Sequence, residues 1–93
     1  MHIQQEQSGS NGSFFIEENG CRIAAMTFSV SDARILTILH TGVDESLRGK
    51  SIGYKLVKEA ATFAGKNHYK IVAKCSFAKA VLDKKKEEFK EVL

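Results

Sequence analysis

Val43-Asp44-Glu45-Ser46-Leu47-Arg48-Gly49-Lys50-Ser51-Ile52-Gly53 decides the reading of this chain, because it joins a β-branched-rich run to an amphipathic stretch through small and basic residues. A helix N-terminus carries N–H groups without intrahelical partners and the positive end of the helix dipole. Gly49, Ser51 and Gly53 are small enough to let an anion reach those groups, and Arg48 and Lys50 add positive charge beside them. The stretch therefore predicts a strand-to-helix turn that accepts a phosphate, with a merely solvated turn as the competing reading. It contains neither the G-x-x-x-x-G-K-[ST] pattern nor the G-x-G-x-x-G pattern of the two common nucleotide loops.

Downstream, apolar residues recur at Ile52, Leu56, Ala60, Phe63 and Ala64, with Val57 and Ala61 alongside, which is helical spacing. Lys55, Lys58, Glu59, Thr62 and Lys66 fall mostly on the other side, and Gly65 and Asn67 supply stop signals. An amphipathic helix of about four turns follows. Residues 69–75 read as the next strand, and strand, helix and strand of this length make a right-handed parallel crossover. Residues 77–83 and 84–93 are helix-compatible, with Phe77, Val81, Leu82, Phe89, Val92 and Leu93 as anchors and no proline to break them.

Upstream, residues 34–43 form a run too rich in β-branched residues to be a loop. In residues 22–30, Ala24, Met26, Phe28 and Val30 share one face of a strand by the period of two. Asn19-Gly20, behind Phe14-Phe15-Ile16-Glu17-Glu18, is the dipeptide of a type I′ hairpin turn. Residues 1–13, with Ser8-Gly9-Ser10-Asn11-Gly12-Ser13, offer little to bury and read as a flexible or edge-strand lead-in to a domain over 14–93. The expected fold is α/β, with a mixed, mostly antiparallel sheet, one main amphipathic helix and a helical C-terminal segment.

Ninety-three residues suit one domain. A chain of this size buries roughly 60–65% of its extended surface, so a ligand must share the core or lie at its edge. Fourteen Lys and Arg against 11 Asp and Glu give a net charge of +3, which favours an anionic partner such as a phosphate-bearing cofactor. Interleaved exposed aromatics and a recognised nucleic-acid module are missing, which argues against nucleic acid. The run Lys84-Lys85-Lys86 reads as a solvated face first and an anion contact second. Cys21 and Cys75 lie far apart without a C-x-x-C pattern or clustered histidines, so no metal site is expected. The polar N-terminus lacks a secretory leader, and no apolar run approaches the roughly 18–20 residues of a membrane span. A cytoplasmic protein with free thiols and no membrane partner is expected.

The hexapeptide Arg48-Gly49-Lys50-Ser51-Ile52-Gly53 resembles the cofactor signature of the GCN5-related N-acetyltransferase (GNAT) superfamily: Arg or Gln, two residues, Gly, one residue, then Gly or Ala. Ser51 departs from it, standing where the superfamily has glycine, and its Cβ restricts positive φ. His40-Thr41-Gly42-Val43 looks like the His-Thr-x-Val of the superfamily's very short, single-domain branch. Cys75-Ser76-Phe77 looks like its Cys-Ser-aromatic segment, and Phe89 with the residues to Leu93 resembles its closing segment.

The resemblance implies a minimal GNAT-like sheet whose central strands, ending at Val43 and at Cys75, splay apart around acetyl-CoA. The residues implied in cofactor binding are Thr41, Gly42 and Val43 along the pantetheine arm, and Arg48, Gly49, Lys50, Ser51, Ile52 and Gly53 around the pyrophosphate. The implied activity is acetyl transfer from acetyl-CoA to an unidentified amine. That chemistry needs a neutral amine, an oxyanion donor and a proton for the departing CoA thiolate. Cys75 stands near the thioester as a proton donor or acetyl acceptor. His40 is a second catalytic candidate, as a base. Where the superfamily often has a tyrosine for the thiolate, this chain has Phe77, which has no proton to give.

Each candidate has a plainer reading. Free cysteine is among the most buried residue types, so Cys75 competes with a packing role. His40, expected on a largely buried strand, competes with a satisfied structural histidine. Cys21 and His68 receive structural readings only, and Tyr54 is helix surface or cofactor margin. The tight Asn19-Gly20 turn leaves no acceptor wall, so the acceptor side is expected to be open and to suit a protein-borne amine. The rival function is a CoA-binding module without turnover.

Overall fold

Asn19 and Gly20 have φ of 51° and 80°, the left-handed pair of a type I′ turn, and they close a hairpin between β2 (Asn11–Glu18) and β3 (Cys21–Val30). The computed structural model describes residues 2–47 and 49–93. Gly9 and Ser10 make a second tight turn, and Ser8 pairs with Asn11, so β1 (Gln4–Ser8) lies antiparallel along β2. β2 consequently starts ahead of the expected Phe14. Every residue of β1 is exposed, so its placement comes from backbone pairing and turn chemistry, not from apolar burial.

β4 (Ile35–Val43) follows β3 antiparallel, after a turn in which Arg34 takes φ 60°. A short 3₁₀ turn (Glu45–Leu47) leads to α1 (Ile52–Lys66), and β5 (Lys70–Ala73) returns parallel to β4. α2 (Ser76–Lys84) and α3 (Lys86–Phe89) complete the chain. The sheet order is β1-β2-β3-β4-β5, mixed and mostly antiparallel.

All helices cover one face of this sheet. α1 lays Ile52, Leu56, Val57, Ala60 and Ala64 on Phe14, Met26, Phe28, Leu36 and Ile38, all buried in one cluster with Ala78 and Leu82 of α2. Phe63, expected in that stripe, is half-buried and instead links rings, with centroids 6.0 Å from Phe14 and 5.9 Å from Tyr69. Among the described residues the opposite face carries no helix, and it leaves Leu39 and Val72 exposed. The C-terminal residues close the outer edge of β5, where Ile71 N–H donates to Val92 C=O at 2.6 Å. Among the described residues no helix is long and apolar enough to cross a membrane.

Two irregularities shape the centre of the sheet. Phe28 pairs with Ile38 but Thr27 pairs with His40, so Leu39 is an extra residue in β4. Such a bulge reverses which residues face each side. In addition, β4 and β5 pair only from Ile35–Lys70 to Ile38–Ala73, with a last bond from Lys74 N–H to Ile38 C=O at 2.9 Å. β4 then runs on to Val43 while the chain after Lys74 turns away into α2. The β5-facing backbone of residues 39–43 is left without a strand.

Candidate functional site

A groove of about 470 Å³ opens where β4 loses its neighbour. Thr41 and Val43 form its β4 wall, Leu47 and Gly49 its approach, and Ser51, Ile52 and Gly53 its end at the start of α1. Tyr54 and Phe77 close the remaining side. None of these lining residues is acidic.

The turn into α1 is built from two left-handed residues. Gly49 has φ 81°, a conformation that costs a side chain dearly, and nothing lies within 4 Å of where its Cβ would be. Ser51 has φ 58° and ψ 30° as the N-cap, and its hydroxyl makes no capping bond. The first N–H groups of α1 are therefore uncapped by a side chain and face the groove end formed by Ile52 and Gly53. Lys50 is exposed on the same turn, whereas Arg48 lies outside the described residues.

Because of the Leu39 bulge, Thr41 and Val43 take over the inward phase of Leu36 and Ile38 and look into the groove. His40 and Gly42 turn to the helix-free face, where they line a separate hollow of about 300 Å³ with Arg22, Ile23, Ala25 and Asp44. A Cβ on Gly42 would lie 3.7 Å from His40 Nε2, placing the two on the same side. His40 is exposed, not on a buried stretch as expected, since the bulge carries it out of the core phase. The structure thus brings Thr41 and Val43 together with Gly49, Ser51, Ile52 and Gly53. It sets His40 and Gly42 on the other side of the strand.

Cys75 is the half-buried N-cap of α2 and faces Thr41. Burial pushes its thiol up, but the N–H groups of Ala78, Phe77 and Thr41 and the Thr41 hydroxyl act against burial, and the net shift is below the ordinary thiol value. Cys75 makes no side-chain capping hydrogen bond, and Thr41 Oγ1 is buried without a partner among the described residues. An unpaired buried hydroxyl in a groove wall is costly and fits a site that a polar ligand completes. Cys21 is exposed at the start of β3 and does not line the groove, and both cysteines are free.

Tyr54, read from the sequence as helix surface or cofactor margin, and Phe77, which stands where the superfamily often has a tyrosine, are both groove walls. Tyr54 sits one position beyond the Gly-rich turn, and its hydroxyl donates to the Glu88 carboxylate, which holds the phenol above the ordinary tyrosine range. That proton is committed to Glu88 and is a poor supply for a leaving group. Phe77 lies against Gly53, and a Cβ on Gly53 would fall within 3.0 Å of the ring.

The sequence model of the GCN5-related N-acetyl-transferases matches residues 13–92. The fold is similar to that of a GCN5-like protein from Staphylococcus aureus, with 34% identity, a TM-score of 0.71 and coverage of 96% of this chain and 85% of that one. It is also similar to a ribosomal-protein-alanine N-acetyltransferase from Brucella melitensis, at 16% identity and TM-score 0.67, covering 81% of this chain and 62% of that one. Tetrahymena GCN5 gives the same identity and TM-score, 16% and 0.67, with 81% of this chain and 49% of that one covered. These last two likenesses are of fold alone, and the chain spans roughly half to three-fifths of their length. Among curated proteins, none matches it.

Proposed function

Since this chain belongs to the GCN5-related N-acetyltransferase family, we propose that it takes the acetyl group from acetyl-CoA held in the groove at the start of α1 and passes it to an amine presented on the helix-free face. The observation that carries this reading is that one groove contains both the uncapped amide end of α1 and the unpaired edge of β4. The first suits a pyrophosphate, and the second suits an amide-bearing arm that pairs as an added strand does. The buried, unpartnered Thr41 hydroxyl adds a polar group that such an arm can satisfy.

In this reading the amides of Ile52 and Gly53 hold the pyrophosphate, with Lys50 and Arg48 supplying charge. Gly42 and Val43 bind the arm through their backbone. A β4 N–H polarises the thioester carbonyl and carries the oxyanion. The amine nitrogen forms the new C–N bond and the C–S bond breaks. Cys75 passes its thiol proton to the leaving sulfur, and the proton lost by the amine goes to His40 on the opposite side of β4. An acid with a depressed pKa suits a donor to a thiolate, and an exposed histidine suits a base open to an entering substrate.

The acceptor is proposed to be a protein-borne amine. The two-residue turn at Asn19-Gly20 leaves no helix over the face that carries His40, so a bulky acceptor reaches it without rearrangement. The free thiols fit a reducing cytoplasm. A thermal-shift titration tests the cofactor: acetyl-CoA and CoA should raise Tm by mass action and an unrelated nucleotide should not. No shift with either would remove the reading.

A further inference from the structure

The run Lys84-Lys85-Lys86 is the densest positive charge in the chain, and the proposed chemistry leaves it unused. Its middle member sits at the junction of α2 and α3, where its N–H donates to Val81 C=O at 3.1 Å. Lys85 Nζ lies 5.1 Å from the centroid of the Tyr54 ring. Tyr54 in turn lines the groove, one residue from Gly53.

Tyr54 is held in place from behind. Its hydroxyl donates to Glu88, and its ring lies 6.4 Å from that of Phe89. The α2–α3 junction therefore holds a cation over the ring of a groove-lining residue that Glu88 and Phe89 keep in place. Of the nearby acids, Glu88 accepts a hydrogen bond from the Tyr54 hydroxyl and Glu87 lies 3.9 Å from Lys90 Nζ. Among the described residues, Lys85 makes no ion pair.

Resting on the acetyl-CoA reading, we propose that Lys85 binds the 3′-phosphate of the coenzyme and that the chain thereby distinguishes CoA from dephospho-CoA. With the pyrophosphate on the amides of Ile52 and Gly53, the adenosine end leaves the groove past Tyr54, and the ribose phosphate is the remaining dianion within the molecule. Lys85 is the cation that the fold holds against that exit. Lys84 and Lys86 flank it in sequence, but among the described residues only Lys85 makes a cation–π contact with Tyr54.

Dissociation constants for CoA and dephospho-CoA decide this in the wild type, Lys85→Gln and Lys84→Gln. The wild type should bind CoA about three- to fivefold more tightly than dephospho-CoA, the size of one exposed ion pair. Lys85→Gln should bring that ratio near one by weakening CoA alone, and Lys84→Gln should preserve it. Equal weakening of both ligands by Lys85→Gln would mean that the lysine only steadies Tyr54, and would overturn the proposal. A wild-type ratio of one would overturn it while leaving the acetyl-CoA reading standing; failure of the wild type to bind either ligand would remove both.

Discussion

The ring of Phe77 lies directly against the backbone of Gly53, in space that any side chain at position 53 would occupy. Gly53 is therefore required by packing, and the contact ties the start of α2 to the start of α1. Phe77 is 44% exposed, so it can move without opening the core.

Gly53→Ala should accordingly displace Phe77 without unfolding the domain. The usual gain of about 1 kcal/mol for alanine over glycine in a helix offsets the lost contact. Unfolding by urea should change by less than about 1 kcal/mol, while CoA affinity, measured by calorimetry, should fall about tenfold as the ring moves into the groove, an effect of about 1.4 kcal/mol. Combining it with Phe77→Ala should recover most of that affinity. An unrecovered loss would show that Cβ itself blocks the ligand.

Gly49→Ala and Ser51→Gly should differ in what they change, the first lowering stability and the second raising CoA affinity. Position 49 has no neighbour near its missing Cβ, so alanine there pays only for φ 81°, about 1–2 kcal/mol of stability by denaturation. Ser51 already holds φ 58°. Glycine there relieves strain but widens the unfolded ensemble, so stability should change by less than about 1 kcal/mol. CoA affinity should rise, because a smaller residue then faces the anion.

The Cys75 thiol should alkylate at lower pH than an ordinary thiol. In a Cys21→Ser background, the iodoacetamide rate of the folded protein should reach its midpoint below that of the same chain in urea. Because the folded value is the lower one, the linked stability is fully present above the unfolded thiol pKa and is lost as pH falls through the folded value. Thr41→Val removes a hydroxyl that favours the thiolate and should move the folded midpoint upward. Saturating CoA should slow the reaction in the folded state; an unprotected thiol would place Cys75 away from the ligand.

His40 and the groove lie on different sides of β4. His40→Ala should therefore leave CoA affinity unchanged while lowering kcat for a peptide amine by roughly 10²-fold or more, the usual size of a general base effect. Loss of CoA affinity would contradict the facing that the Leu39 bulge imposes.

Much of this arrangement was legible in the residues. The Asn19-Gly20 turn, the stripe from Ile52 to Ala64 and the small residues before it each have a strong local cause: positive φ, helical periodicity and helix-end electrostatics. β1 was legible only as the edge-strand alternative for residues 1–13, because all its residues are exposed and its position depends on the Gly9-Ser10 turn. The bulge at Leu39 was equally hidden, since residues 34–43 read as an uninterrupted strand. It nonetheless decides the site, by turning His40 out and Thr41 in. That Phe77 and Tyr54 wall one and the same groove depends on how α2 and α3 fold back on α1, which no local pattern carries.

The most direct test of the central claim is acetyl transfer itself: purified protein, acetyl-CoA and a panel of lysine-bearing and N-terminal peptides, with product followed by mass spectrometry. The account predicts an acetylated peptide amine and free CoA in equal amounts, with turnover strongly reduced in Cys75→Ala and binding of CoA retained. CoA binding with no acetylated amine from any acceptor would contradict it and leave a binding module in its place.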